Sequence, residues 1–166
     1  SDNTFIGDNA GGANTTASSN TAVGSNALLA NTTGSLLVAV GDDCLASNTT
    51  GARNTALGRN TMNANTTGTG NTAMGNNALS TATEADDNVA IGRSSLNALT
   101  SGIDNTAVGA YSGDAMTTGS DNVAIGDNAL GAVTTGSDNT AVGSSALLAS
   151  TGAGNTAVGA YALDAN

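Results

Sequence analysis

Asn88-Val-Ala-Ile-Gly92 is followed, seventeen residues later, by Asn105-Thr-Ala-Val-Gly109, and seventeen further on by Asn122-Val-Ala-Ile-Gly126. On either side of these copies the same phrase ends at Gly7, Gly24, Gly41, Gly58, Gly75 and Gly143, and once more at Gly159 after an interval of sixteen. A fixed period means one structural unit stacked many times, and that outranks any local propensity. The repeat fills residues 1–166 as a single domain of ten rungs.

The unit reads Asn-[Thr/Val]-Ala-[Val/Ile/Leu/Met]-Gly-x-x-Ala-Leu-x-Ala-x-Thr-Thr-Gly-Ser-Asp. Asn-Thr-Ala-Val predicts a short strand closed by a glycine at positive φ. Ala-Leu predicts a second short extended run, and Thr-Thr-Gly a second turn. Helices do not fit: seventeen residues are too few for a helical-hairpin repeat, and an isolated helical turn is marginal. The expected fold is all-β, a parallel β-solenoid. Rungs spaced about 4.8 Å apart make a rod roughly 45–50 Å long.

Stacking turns each repeat position into a column. The residue before each Gly is always apolar (Ile6, Val23, Val40, Leu57, Met74, Ile91, Val108, Ile125, Val142, Val158). A second column is mostly Leu (Leu28, Leu45, Leu79, Leu96, Leu130, Leu147, Leu163, with Met62). These two columns are expected to form the core, with the Ala column between them allowing close approach. Two such narrow columns suggest that part of each coil faces another chain, as in an oligomeric rod. The Asn column, broken at Leu37, predicts stacked amides or, alternatively, a polar binding strip.

Composition narrows the function. The chain has no Lys or His, three Arg, thirteen acids and a net charge of −10. Phosphate recognition depends on Lys and Arg, so neither nucleic acid nor an anionic membrane surface is an expected partner. No apolar run predicts membrane insertion in this segment. With one Cys and no His or Lys, the usual nucleophile–base pairs cannot be assembled, so the chain is not expected to be an enzyme or to carry a cofactor. Asp42-Asp43 and Asp86-Asp87 are the only paired carboxylates near turns. Cys44 stands in a column of small residues and predicts a buried, inert thiol. High Thr, Ser, Asn and Gly content fits an extracellular surface. The first residue enters mid-pattern, so the chain reads as part of a longer one.

Candidate sites are few. Asp87, Asp104, Asp121 and Asp138 share one repeat position, and stacked carboxylates are relieved by water or by calcium; no other metal site is suggested. Thr4, Thr21, Thr55, Thr72, Thr106, Thr140 and Thr156 share a column with Val38, Val89 and Val123, which admits ice binding or half-buried packing. Recognition is expected where the repeat falters. Ser80–Asp86 holds Glu84; Leu36-Leu37-Val38 is unusually apolar; Tyr111 and Tyr161 replace Asn or Ser; Gly11-Gly12 and Gly113-Asp114 replace Leu; one residue is lost within 149–151.

The phrase Asn-[Thr/Val]-Ala-[Val/Ile]-Gly-x-x-Ala resembles the YadA-like head repeats of trimeric autotransporter adhesins, and is similar to repeats of bacteriophage tail fibres. Asn88–Gly92 and Asn122–Gly126 carry the resemblance most closely. It implies a left-handed β-roll, a homotrimer sharing apolar columns across a three-fold axis, and a fibre on a virion or bacterial surface that contacts a host receptor. It implies no catalytic residue. The family's repeat is shorter, about fourteen residues, and the extra length here falls in the Leu-x-Ala-x-Thr-Thr-Gly arm. The function expected is a structural and adhesive fibre segment. The alternative is a monomeric β-solenoid that binds ice or calcium.

Overall fold

The computed structural model describes residues 2–164. Ten strands of three residues run from β1 (Thr4–Ile6), β2 (Thr21–Val23), β3 (Val38–Val40), β4 (Thr55–Leu57) and β5 (Thr72–Met74) through β6 (Val89–Ile91), β7 (Thr106–Val108), β8 (Val123–Ile125) and β9 (Thr140–Val142) to β10 (Thr156–Val158). They form one sheet in sequence order, each parallel to and in register with the next. The fold is the expected β-solenoid, and no helix occurs among the described residues. The short last interval is absorbed without a slip: Thr156 still pairs with Thr140 and Val158 with Val142.

Side chains alternate across a strand, and the parity is the reverse of the expected one. The Ala column points inward and is buried at Ala22, Ala39, Ala56, Ala73, Ala90, Ala107, Ala124 and Ala141. The aliphatic column before the glycines points out. No member of it is buried, and exposure reaches 39% at Ile125 and 71% at Val158. The reason is the thinness of the coil. Leu28, Leu45, Leu79, Leu96, Leu130 and Leu147 reach across from the opposite wall and are buried against the Ala column, which leaves no volume for a second large side chain. The Leu column is thus core as expected, except at Leu163 in the last coil, which is 46% exposed, and its partner is Ala.

The opposite wall is the second correction. Ala-Leu is no extended run: Asn26 and Leu28 have φ of 55°, as do their counterparts within a few degrees along the rod. The left-handed conformation costs a side-chain-bearing residue about 1–2 kcal/mol. It is held because it switches the direction of the backbone N–H groups from one neighbouring coil to the other. Asn26 N–H donates back to Asp8 O at 2.9 Å, whereas Leu28 N–H donates forward to Cys44 O at 3.1 Å. Ala30 N–H continues forward to Ala46 O and Thr32 N–H to Thr49 O, each at 3.0 Å. The wall therefore bonds to both neighbouring coils without being a strand.

Two irregular coils are repaired by volume exchange. Gly11 lacks a Leu side chain, and Phe5 in the Ala column fills the space: a Cβ at Gly11 would lie 2.5 Å from Phe5 Cε2. At Gly113 the space is taken by Leu96 and by the buried Met116. These breaks are packing features of the core.

Candidate functional site

With the parity reversed, the outer face of the sheet becomes the most distinctive surface. It carries two columns, Thr/Val at the first strand position and Val/Ile/Leu/Met at the third. The Thr column considered for ice binding lies on this face beside the aliphatic column. Residues two apart on one strand face are separated by roughly 6.6 Å. The face is thus a flat strip whose methyl groups and hydroxyls repeat with the coil.

The Asn column lies inside and forms the expected ladder. Asn105 illustrates a rung: its Nδ2 donates to Asn88 Oδ1 at 2.9 Å and to Gly119 O at 2.9 Å, while its Oδ1 accepts from Asn122 N–H at 3.1 Å and Nδ2 at 3.0 Å. The pattern continues through Asn139 to Asn155. Asn88, Asn105, Asn122 and Asn139 are buried, so this column offers nothing to a ligand.

Two further ladders are not evident from the repeat alone. Asn48 Nδ2 donates to Asn31 Oδ1 at 2.9 Å, and Asn65 Nδ2 to Asn48 Oδ1 at 2.7 Å. Asn31, Asn48 and Asn65 are buried, although Asn-Thr-Thr matches the acceptor pattern for N-linked glycans. Beyond them the column becomes Ala82, Leu99, Met116 and Val133, all buried. In the next column Thr32, Thr49 and Thr66 each donate a hydroxyl to the carbonyl one coil on, at 3.0 Å. A sequence signal for this second ladder exists: its Thr stands in every seventeen-residue copy, giving way only to Ser150 in the short one, whereas the Thr after it becomes Glu84 and Ser101.

The four candidate calcium ligands are exposed and share a backbone role. Asp87, Asp104, Asp121 and Asp138 have φ between 54° and 60°, a conformation that Asp tolerates better than most residues. Gly70 and Gly154 stand in the same column at φ 72°. Each Asp N–H donates to the preceding coil, Asp87 to Thr69 O at 2.9 Å and Asp121 to Ile103 O at 3.1 Å. The structure does not gather them: no three acidic, Cys or His side chains converge around a common point among the described residues. Nor do the carboxylate pairs stand free. Asp86 Oδ1 accepts from Thr69 N–H and Oγ1, Asp42 pairs with Arg59, and Asp43 Oδ1 accepts from Asn26 Nδ2 at 3.0 Å.

The recognition candidates fall in different settings. Tyr161 is 65% exposed near the last coil, and Glu84 is exposed in the Thr-Thr turn. Tyr111 is only half-buried, because Arg93 of the preceding coil lies over its ring, 4.7 Å from the centroid. One column away from Tyr111, Arg59 Nε donates to Asp42 Oδ2 at 3.3 Å. Leu36 and Val38 are exposed while Leu37 is buried, so that break enlarges the outer apolar face locally. Cys44 is fully buried, and burial pushes its thiol up to about 12. Burial likewise raises the Asp114 carboxyl above its usual range.

Comparison with protein-family models, curated proteins and solved structures gives no match. No helix among the described residues is long and apolar enough to cross a membrane. What remains to indicate a function is the set of surfaces described above, together with the resemblance of the repeat.

Proposed function

We propose that this chain is a structural and adhesive fibre segment, part of a bacteriophage tail fibre or a bacterial surface adhesin, and that it works as a homotrimer. The observation that carries the reading is the aliphatic column on the outer face of the sheet. Ile6, Leu57, Met74, Ile125 and Val158 are exposed in the single chain. Scattered exposed apolar residues need no explanation, but a contiguous stripe along a rod marks an interaction surface. Identical coils present identical stripes, so other copies of the chain match it rung for rung, as in closed symmetric assemblies. The resemblance to trimeric adhesin heads supplies the number three. The remaining surface, rich in hydroxyls and amides, suits a fibre outside the cell that meets a host receptor.

Light scattering on the purified chain tests this. The expected mass is three times the 15.7 kDa of the monomer. Ile91→Lys with Ile125→Lys is expected to give a folded chain of monomer mass. A monomer at all concentrations for the unaltered chain overturns the fibre reading. It would favour the alternative, because the Thr column lies on that same flat face; thermal hysteresis of freezing then decides for or against ice.

A further inference from the structure

Arg59 and Arg93 occupy the same repeat position two coils apart, on the ridge that follows the glycines. Stacking places them about 10 Å from one another along the rod. We propose that this ridge binds an anionic polysaccharide through the two guanidinium groups, with Asn60 beside Arg59 and Asn76 and Asn77 on the coil between the arginines meeting its hydroxyls. This deepens the adhesive reading, on which it rests, by naming the chemistry of its partner.

Three observations carry the inference. The first is that both arginines are held in place by the chain. Arg59 is tethered through Nε to Asp42, which leaves the terminal fork of its guanidinium, the part that grips a carboxylate in bidentate fashion, on a side chain 63% exposed. Arg93 is exposed and fixed from one side by the Tyr111 ring. Groups already positioned lose less freedom on binding.

The second is charge. The chain is strongly acidic, yet the ridge from residue 59 to residue 111 reads Arg59-Asn60, Asn76-Asn77, Arg93-Ser94 and Ala110-Tyr111, with no carboxylate. The acid column at Asp87, Asp104 and Asp121 borders the other side of the strands. The three-residue strand lies between it and the arginine column and spans roughly 10 Å, comparable to the screening length of about 8 Å at physiological salt. The nearest acids along the ridge are Asp42, paired with Arg59, Asp43, which accepts from Asn26, and Asp127 two coils beyond Arg93.

The third is the shape and the state of the backbone. No pocket for a small ligand occurs among the described residues, so the partner must lie along the surface. A peptide that docks by strand addition would pair with free backbone groups, and the ridge offers few. Asn60, Asn77, Ser94 and Tyr111 N–H groups all donate to the preceding coil, at 2.9–3.1 Å. A sugar polymer needs no backbone pairing. Its repeated acid groups and hydroxyls match a surface of two forks and several amides.

The test is binding of the full chain to immobilised polygalacturonate, sulfated dextran and neutral dextran. Retention is expected on one or both anionic polymers at low salt, weakening as salt rises, and none on neutral dextran; the stronger of the two identifies carboxylate or sulfate as the group recognised. Arg59→Gln with Arg93→Gln is expected to weaken binding at least tenfold. Arg53→Gln, on the acid-bearing side, is expected to leave it unchanged. Tyr111→Ala is expected to weaken binding through Arg93, and Tyr111→Phe to preserve it. Circular dichroism and melting of each variant check that these changes leave the fold intact. No retention on either anionic polymer overturns the inference. So does an equal loss from Arg53→Gln, or equal affinity for polyglutamate. Mass measured on the same samples keeps the readings apart: a trimer that binds no polymer sinks this inference alone, and a binding monomer sinks the fibre reading alone.

Discussion

Asn48 Oδ1 accepts a hydrogen bond from Asn65 Nδ2 at 2.7 Å, and there the second amide ladder stops. Asn65 Oδ1 is buried without a donor among the described residues, because the next coil offers Ala82. The Gly of the following turn is also replaced there, by Ala85. A Cβ on Gly68 would lie 2.4 Å from Asn65 Oδ1, and one on Gly51 would lie 2.6 Å from Asn48 Oδ1. A side chain at the turn and an amide in the column thus compete for one space.

A ladder of this kind always ends in one unpaired oxygen, which makes the cost of truncation depend on position. In Asn65→Ala the unpaired oxygen moves to Asn48, so the loss is two donated bonds and some packing. In Asn48→Ala both Asn31 Oδ1 and Asn65 Oδ1 are left without donors. Each unsatisfied buried acceptor costs about 1–3 kcal/mol. Asn48→Ala is therefore expected to destabilise more than Asn65→Ala by that amount in urea unfolding. Equal losses would show that the amides contribute as isolated bonds.

The strand parity gives a paired test at adjacent positions. Ala90 faces the Leu column and is buried, whereas Ile91 faces out. Ala90→Val is expected to cost about 1–3 kcal/mol by overpacking. Ile91→Thr, the larger loss of apolar surface, is expected to change the stability of the isolated chain by no more than about 0.5 kcal/mol. Denaturation below the concentration at which chains associate separates these effects from assembly. The reverse order would restore the aliphatic column to the core.

That parity is the part of the fold the sequence conceals. Period, strand position, parallel stacking and the Leu column are all legible, since each follows from spacing. The inward face is easily misjudged because hydrophobicity favours Val over Ala, and the rule holds only where the core has room for both. The copies themselves carry a better signal. The third strand position accepts Val, Ile, Leu and Met, while the second is Ala in every copy except the one with Phe5. Tolerance of size marks an open face, and intolerance marks a tight one. The left-handed residues are illegible for a different reason: Leu28 and its equivalents adopt a conformation their own propensity disfavours, imposed by bonds to the coils on either side. The arginine ridge stays hidden because it is a relation between columns, Arg59 to Asp42 and Arg93 to Tyr111, each spanning one coil.

The glycine beat separates two kinds of glycine. Gly92 has φ of 133°, and a Cβ there would lie 2.3 Å from Gly109 O. Backbone cannot yield as a side chain can, so Gly92→Ala is expected to cost on the order of 3 kcal/mol or more. Gly131 lacks a positive φ, and the closest atom to its added Cβ would be Leu148 Cδ1, a movable side-chain end, at 2.7 Å. Gly131→Ala is expected to change stability by no more than about 0.5 kcal/mol, with loss of unfolded-state entropy offsetting the contact. Thermal melting of the two variants checks both expectations, and similar losses would show that φ is not the controlling term.

Cys44 gives the chain a dependence on alkaline pH. Its thiol is raised from 9.0 to about 12, chiefly by burial. Above pH 9 the unfolded chain loses this proton while the folded chain keeps it, so the unfolded state binds fewer protons and stability falls as pH rises. The loss develops between pH 9 and about 12. It reaches about 4 kcal/mol, because each pH unit between the unfolded and folded pKa values is worth about 1.36 kcal/mol. Ala27 and Ala78 occupy the same column and are buried, so Cys44→Ala is expected to fold and to lack this component. Tyr111 and Tyr161 remain in both proteins and drop out of the difference. Urea unfolding of the two proteins at about pH 8, below the thiol's unfolded titration, and at about pH 10 and 11.5, between its unfolded and folded titrations, measures it. The stability difference is expected to be constant below pH 9 and to move in favour of Cys44→Ala above it. Parallel profiles across that whole range would show that the thiolate reaches solvent without unfolding.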